Sequence, residues 1–273
     1  MERRPTPPRW LMMTMDLTDR VVLITGAYSG IGFACAEACI AAGAMVLVHA
    51  RRAEELPRAL GRLGPRASGV TGDLKSPETP EALVAAAVGR HGRLDGLVNN
   101  AALLTRSTIE TIGHDHVQDM LAVNLTAPLL LIKAALPHLE RAESGGTIVN
   151  IGSINAWCGA PNLLAYSASK GALMTATRNL GDALGGRKVR INQINVGWTA
   201  TETEHKLQIA EGHGENWQKQ LPEAFAPHGR LIEPQEVAAH VTFWLSAASA
   251  PVTGQVYELE QYPMLGRNRI AAR

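Results

Sequence analysis

Val21-Val22-Leu23-Ile24-Thr25-Gly26-Ala27-Tyr28-Ser29-Gly30-Ile31-Gly32 is the stretch that decides how this chain folds. The apolar run Val21–Ile24 has the composition of a short buried strand. A glycine-rich turn follows at once, and a helical pattern then continues to Ala42. Strand, glycine turn and helix in that order form a cradle for dinucleotide phosphates. Gly26 allows the tight turn, Gly30 lets backbone approach a pyrophosphate, and Gly32 permits close helix–strand packing. Tyr28, Ser29 and Ile31, interleaved with the glycines, complete the candidate cofactor contacts of this turn. The glycines mean little alone; the strand before them and the helix after them give them their reading.

Working outward, Met45–Ala50 reads as a second strand, and its end bears on cofactor choice. Units that bind NAD commonly place a carboxylate there for the ribose hydroxyls, whereas this chain has Arg51-Arg52 and no acid until Glu54. An arginine at that position accommodates a 2′-phosphate, which favours NADP(H) over NAD(H). A third strand, Ala67–Thr71, leads into Gly72-Asp73-Leu74, where Asp73 either caps the loop or accepts from an adenine amine. Pro80–His91 reads as helix. Leu94–Val98 is a fourth strand ending in Asn99-Asn100-Ala101-Ala102, a turn whose asparagines bond to backbone and whose small residues leave room for a ring. His114, Asp115 and His116 open the next helix, with Asp115 as its cap; no second cluster supports a metal. That helix extends to about Glu140, carries Asn124 on an apolar face, and is bent or shortened by Pro128 and Pro137.

Gly146–Gly152 reads as a buried strand that ends at Ser153. Thirteen residues beyond the serine, Tyr166 and Lys170 stand four apart at the start of a helix running to about Leu184. Positions i and i+4 share one face, so the phenol and the ammonium point at the same place. A phenol has an unperturbed pKa of about 10, and a fixed cation nearby favours the phenolate. With a hydroxyl from the strand end holding a substrate oxygen, the arrangement suits acid–base chemistry at a carbonyl or alcohol. Val189–Ile194 makes a sixth strand. Alternation of strands and helices implies a parallel sheet wound in both directions, with ligands outside the carboxyl ends of the strands. The glycine turn, Asn99, Ser153 and Asn195 all fall at such ends.

Composition narrows the classes. The chain has 273 residues, 46% hydrophobic, with 26 glycines and 15 prolines, which fits one α/β domain from residue 16 onward. A formal net charge of +1 with interspersed signs offers no basic stripe for nucleic acid or an anionic membrane. Three cysteines make no disulfide framework, and Cys35 and Cys39 read as small buried helix residues. The expected location is cytoplasmic. Residues 1–15, charged and proline-rich, are expected to be a disordered leader, and no stretch reads as a membrane span.

In order and spacing, Thr25-Gly-x-x-x-Gly30-Ile-Gly32, Asn99-Asn100-Ala101, Asn124, Ser153 and Tyr166-x-x-x-Lys170 resemble the single-domain short-chain dehydrogenases/reductases, over Leu17 to about Glu260. The resemblance implies a Rossmann-type doubly wound sheet of about seven strands with helices on both faces. It implies Tyr166 as the acid/base, Ser153 as the group that positions the substrate oxygen, Lys170 on the nicotinamide ribose, and Asn124 supporting a proton-relay water. Hydride would pass between nicotinamide and a carbonyl carbon. Val196-Gly197-Trp198 stands where relatives carry Pro-Gly, and Thr199 is placed to reach the nicotinamide amide. Glu258-Leu259-Glu260-Gln261-Tyr262-Pro263 replaces a common Asp-Gly-Gly ending.

Residues 199–227 are expected to form a lid over the substrate. His205 and Trp217 from that segment face Asn155 and Trp157 across the cleft in this reading, Trp198 just before it joins the substrate contacts, and Gly197 is a candidate cofactor contact. Polar groups among indoles suit a small hydroxylated substrate, sugar-like or polyol-like, and a long acyl-carrier substrate would favour a basic rim. A 3-oxoacyl-type ketoreductase is the alternative, and a non-catalytic nicotinamide sensor a further one that the intact serine, tyrosine and lysine argue against. The resemblance also implies a homotetramer built through the Asn124 helix, the Tyr166 helix and the last strand.

Overall fold

The computed structural model describes residues 15–157 and 159–263. The expected leader therefore lies, apart from Met15, outside the described residues. Seven parallel strands form one sheet in the order β3-β2-β1-β4-β5-β6-β7. They are β1 Val21–Ile24, β2 Met45–Ala50, β3 Ala67–Thr71, β4 Gly96–Asn99, β5 Gly146–Ser153, β6 Val189–Val196 and β7 Val256–Leu259. β4 begins and ends slightly later than its composition suggests. The order reverses between β1 and β4, which opens a crevice at their carboxyl ends, as a doubly wound sheet requires.

Side chains alternate across the sheet. Val22, Ile24, Val46 and Val48 enter one core with α1 (Gly30–Ala41) and α8 (Pro234–Leu245). Val21, Leu23, Leu97 and Ile148 enter the other, with α3 (Thr79–His91), α5 (Ala127–Leu139) and α6 (Leu164–Gly185). Both faces are covered, which is why strands such as Val21–Ile24 are apolar throughout rather than alternating with polar residues. Cys35 and Cys39 are free, buried thiols in the first of these cores.

The helix expected over 116–140 is one continuous element with an irregular centre. It consists of α4 (His114–Leu121), a π turn at Ala122–Thr126, and α5. Pro128 brings no N–H for the Asn124 carbonyl, so the ordinary i→i+4 bond cannot form there, and the wider turn accommodates the mismatch. Pro137, in the last turn of α5, marks its approaching end. The cap at its start is Gly113, in extended conformation, and Asp115 lies inside the first turn. The expectation of Asp115 as cap is thus displaced by two residues, because the helix takes in His114 as well. By length and composition His114–Leu139 could cross a membrane, but it lies against the sheet with 44% of its most apolar window buried. Residues 199–227 carry α7 (Glu202–Ala210) and a short helical turn at Trp217–Gln220.

Candidate active site

The glycine turn is held open by its neighbours. Gly26 and Gly30 have φ of 62° and 54°, the left-handed region that favours glycine. A Cβ on Gly32 would meet the Gly26 oxygen at 2.5 Å and Ala27 Cα at 2.9 Å, and would collide with Asn100 Nδ2. Asn100 is the clamp: Nδ2 donates to the Thr25 carbonyl at 2.8 Å and the Gly26 carbonyl at 3.1 Å. Thr25 Oγ1 in turn accepts from the backbone N–H groups of Asn100 and Ala101, both at 3.0 Å. His49, which the sequence did not single out, accepts from Gly26 N at 3.2 Å through Nδ1 and pairs with the Gly72 carbonyl at 2.9 Å through Nε2. Burial lowers its pKa, which keeps the ring neutral and able to accept.

The α1 N-terminus carries no side-chain cap bond from Ser29. Its first N–H groups and the positive end of the helix dipole remain available to a phosphate. At the end of β2 the two arginines part. Arg52 is tied to Glu55, with Nη2 at 2.8 Å and Nε at 3.1 Å from Oε1, and Glu55 Oε2 accepts from Arg52 N. Arg51 makes no ion pair among the described residues and is exposed. Asp73 caps its own loop, accepting from Lys75 N at 3.0 Å, while Leu74 is buried.

Beyond the nicotinamide side of the crevice is a cleft of about 1220 Å³. Ile31, Asn100, Ser153, Tyr166 and Lys170 line one side of it, and Trp198, Glu204 and Trp217 the other. Tyr166 and Lys170 are buried on one face of α6, with the ammonium 5.8 Å from the ring centroid. Lys170 Nζ donates to the Ile151 carbonyl at 2.7 Å. Burial pushes the Tyr166 phenol up to about 12; the Ser153 hydroxyl pulls it down and the Glu204 charge adds to the rise. Burial also pushes the Lys170 ammonium down to about 8. From sequence the cation draws the phenol towards neutrality, but in the structure desolvation dominates both groups and drives each towards its uncharged form. Tyr166 is therefore held in its protonated form.

Asn124 is fully engaged. Its Oδ1 accepts from Leu103 N at 2.8 Å, and Nδ2 donates to the Leu103 carbonyl and to Ser169 Oγ, both at 3.0 Å. The side chain therefore pins the loop after β4 against α6 rather than entering the cleft. Asn99 also departs from expectation: it bonds the Asn150 side chain inside the core, at 2.8 Å. Asn150 continues to Thr177, Gln193 and Asn195, a polar chain buried beneath the site.

Gly197, Thr199, Asn155 and Trp198 all line the cleft. Trp157 does not. It is 37% exposed, donates from Nε1 to Glu258 Oε1 at 2.5 Å, and lies under the Arg178 guanidinium. His205 stands behind the wall, accepting from Trp217 Nε1 at 3.1 Å. Glu260, in place of the common glycine ending, packs its carboxylate on the Cα of Gly197 and accepts from Trp198 N at 3.1 Å. Glu204 is the cleft residue that sequence reasoning missed; its place follows from a helix cap, since Thr201 Oγ1 accepts from Glu204 N at 3.1 Å. Among the described residues no group of three or more His, Cys, Asp or Glu side chains gathers as a metal site.

Similarity to known proteins agrees with this geometry. The sequence model described as short chain dehydrogenase matches residues 20–212. The human protein named dehydrogenase/reductase SDR family member 4 is 32% identical, over 88% of this chain and 85% of its own length. The 2-(S)-hydroxypropyl-CoM dehydrogenase 3 of Xanthobacter autotrophicus is 34% identical, over 91% and 98%. A crystal structure of a candidate short-chain alcohol dehydrogenase from Sinorhizobium meliloti 1021 superposes with a TM-score of 0.81 at 30% identity, covering 89% of this chain and 96% of that one. A seven-stranded doubly wound sheet with a buried tyrosine and lysine at its carboxyl edge, matched over most of the chain, makes this protein an oxidoreductase of the short-chain dehydrogenase family, acting on CH–OH or C=O groups.

Proposed function

We propose that the chain is an NADP(H)-dependent oxidoreductase whose substrate is a small polar ketone or alcohol. The observation that carries this reading is the convergence of Ser153, Tyr166 and Lys170 in one cleft that adjoins the glycine turn. When bound, a nicotinamide supplies or accepts the hydride. The residues present fit that group: Gly26 and Gly30 shape the turn, the uncapped α1 terminus and Ser29 meet the phosphates, and Asn100 and Ala101 border the ring. Arg51, free of an ion pair among the described residues, meets a 2′-phosphate, and Arg52 stays with Glu55. Lys170 holds the ribose end, and Gly197 and Thr199 bound the amide end.

Ser153 donates to the substrate oxygen and keeps it within reach of the Tyr166 hydroxyl. Tyr166, protonated throughout the neutral range because its pKa is about 12, gives its proton to that oxygen as the carbonyl is reduced. Burial of both groups excludes bulk water from the reacting atoms. Trp217 of the lid over 199–227, stacked at 5.4 Å on Trp198 just before it, closes the far side. The same reading takes the protein as a cytoplasmic homotetramer, supported by free buried thiols and by the partly unburied apolar helix His114–Leu139.

Tyr166→Phe tests the mechanism. The variant is expected to keep cofactor affinity, read by quenching of tryptophan fluorescence, and to lose turnover. Turnover equal to the parent's rejects it.

A further inference from the structure

The cleft holds a carboxylate that the reaction itself does not use. Glu204 stands in the first turn of α7, and both of its hydrogen bonds fall on one oxygen. Trp198 Nε1 donates to Oε1 at 2.8 Å and Gln208 Nε2 donates to the same atom at 2.9 Å. Among the described residues Oε2 has no donor, although an ionised carboxylate accepts at both oxygens. The side chain cannot swing away without breaking two bonds, and Trp198 is itself stacked on Trp217. Glu204 lines the cleft and is near enough for its charge to be felt at the Tyr166 phenol.

The cations of the cleft offer no counterpart for an anionic substrate. Arg106 is consumed by Glu211 in a two-pronged pair, Nε to Oε1 at 2.7 Å and Nη2 to Oε2 at 3.2 Å. Lys170 donates to the Ile151 carbonyl, and in the reading above its remaining N–H groups go to the cofactor ribose rather than to the substrate. These are the lysine and arginine that line the cleft among the described residues. A carboxylate, phosphate or acyl-carrier tail would therefore enter against an unneutralised negative charge.

We propose that Glu204 is a specificity-determining residue, whose free oxygen receives a hydrogen bond from a hydroxyl of the substrate remote from the reacting carbon. The substrate class is then a neutral hydroxy ketone or polyol, and anionic keto acids are rejected. This inference rests on the oxidoreductase reading and assigns the far end of the same site. A hydrogen bond between a neutral hydroxyl and a charged acceptor is worth roughly tenfold in affinity or more. A half-buried acceptor left unmatched widens that discrimination.

The test uses ketones of equal chain length that end in a hydroxyl, a methyl or a carboxylate, assayed for kcat/KM with the unaltered protein, Glu204→Gln and Tyr166→Phe. The unaltered protein is expected to prefer the hydroxyl over the methyl end by about tenfold and over the carboxylate by more. In Glu204→Gln the amide replaces an acceptor by a donor, so the hydroxyl-to-carboxylate preference collapses by at least tenfold, through opposite changes in KM. General loosening of the lid would move all KM values in one direction and leave the ratio intact. A parent protein that takes keto acids as readily as hydroxy ketones overturns the assignment without any variant. Ratios unchanged in Glu204→Gln, with turnover still abolished in Tyr166→Phe, overturn it and leave the mechanism standing. Turnover that survives Tyr166→Phe removes the mechanism, and this inference with it.

Discussion

Replacing Lys170 by methionine should make the protein more stable and inactive at once. The side chain is buried, and burial holds its pKa near about 8 rather than the ordinary 10.5. At 1.36 kcal/mol per pKa unit, that difference is about 3 kcal/mol of penalty for carrying the charge at pH 7. Methionine has similar length and no charge, so the penalty disappears. Against it stands the lost bond to the Ile151 carbonyl, which costs roughly 1–2 kcal/mol when the acceptor is left unpaired. The net expectation is a gain of about 1–2 kcal/mol at pH 7.

The sign reverses with pH. Between about 8 and 10.5 the unfolded chain holds the proton that the folded protein has released, so the parent gains stability as pH rises through that window. At its upper end the penalty has gone and only the missing bond remains, leaving Lys170→Met the less stable of the two. Urea unfolding at fixed protein concentration, followed by tryptophan fluorescence at pH 7 and at the top of the window, reads both limbs. A variant less stable than the parent at pH 7, or an advantage that does not shrink with alkali, refutes the claim that desolvation dominates this site.

Gly32→Ala carries no backbone strain, so its effect isolates the collision with Asn100 and Gly26; a loss of about 3 kcal/mol in urea unfolding and loss of cofactor-induced quenching are expected. Arg51→Asp should weaken NADPH about tenfold or more while leaving NADH nearly unchanged, and equal NADPH affinity by titration would place the 2′-phosphate elsewhere.

How far the sequence can be read here follows the range of the interactions involved. Short-range signals came through: the glycines of 26–32, the strand end at Ser153 and the Tyr166–Lys170 spacing all lie where local pattern puts them, whereas β6 runs on to Val196 and leaves Asn195 buried within it. Pro128 announced a disturbance but not its form, because a kink and a π turn answer the same missing N–H. Trp157 was assigned to the cleft and is drawn away by Glu258, 101 residues later in the chain, a pairing that β7 alone creates. Glu204 escaped notice for a different reason: its partners Trp198 and Gln208 are near in sequence, but only the folded lid turns that face of α7 into the cleft. Even the direction of the Tyr166 pKa depended on burial, a property of the folded whole, while the sequence displayed only the neighbouring lysine.

Glu260 lies against Gly197 and bonds Trp198, which fastens the exit from the last strand to the loop that borders the nicotinamide end of the cleft. Tyr262 and Pro263 continue as part of the cleft wall. Residues 258–263 are thus a working surface, so substitutions among them act on the active site as well as on the sheet edge.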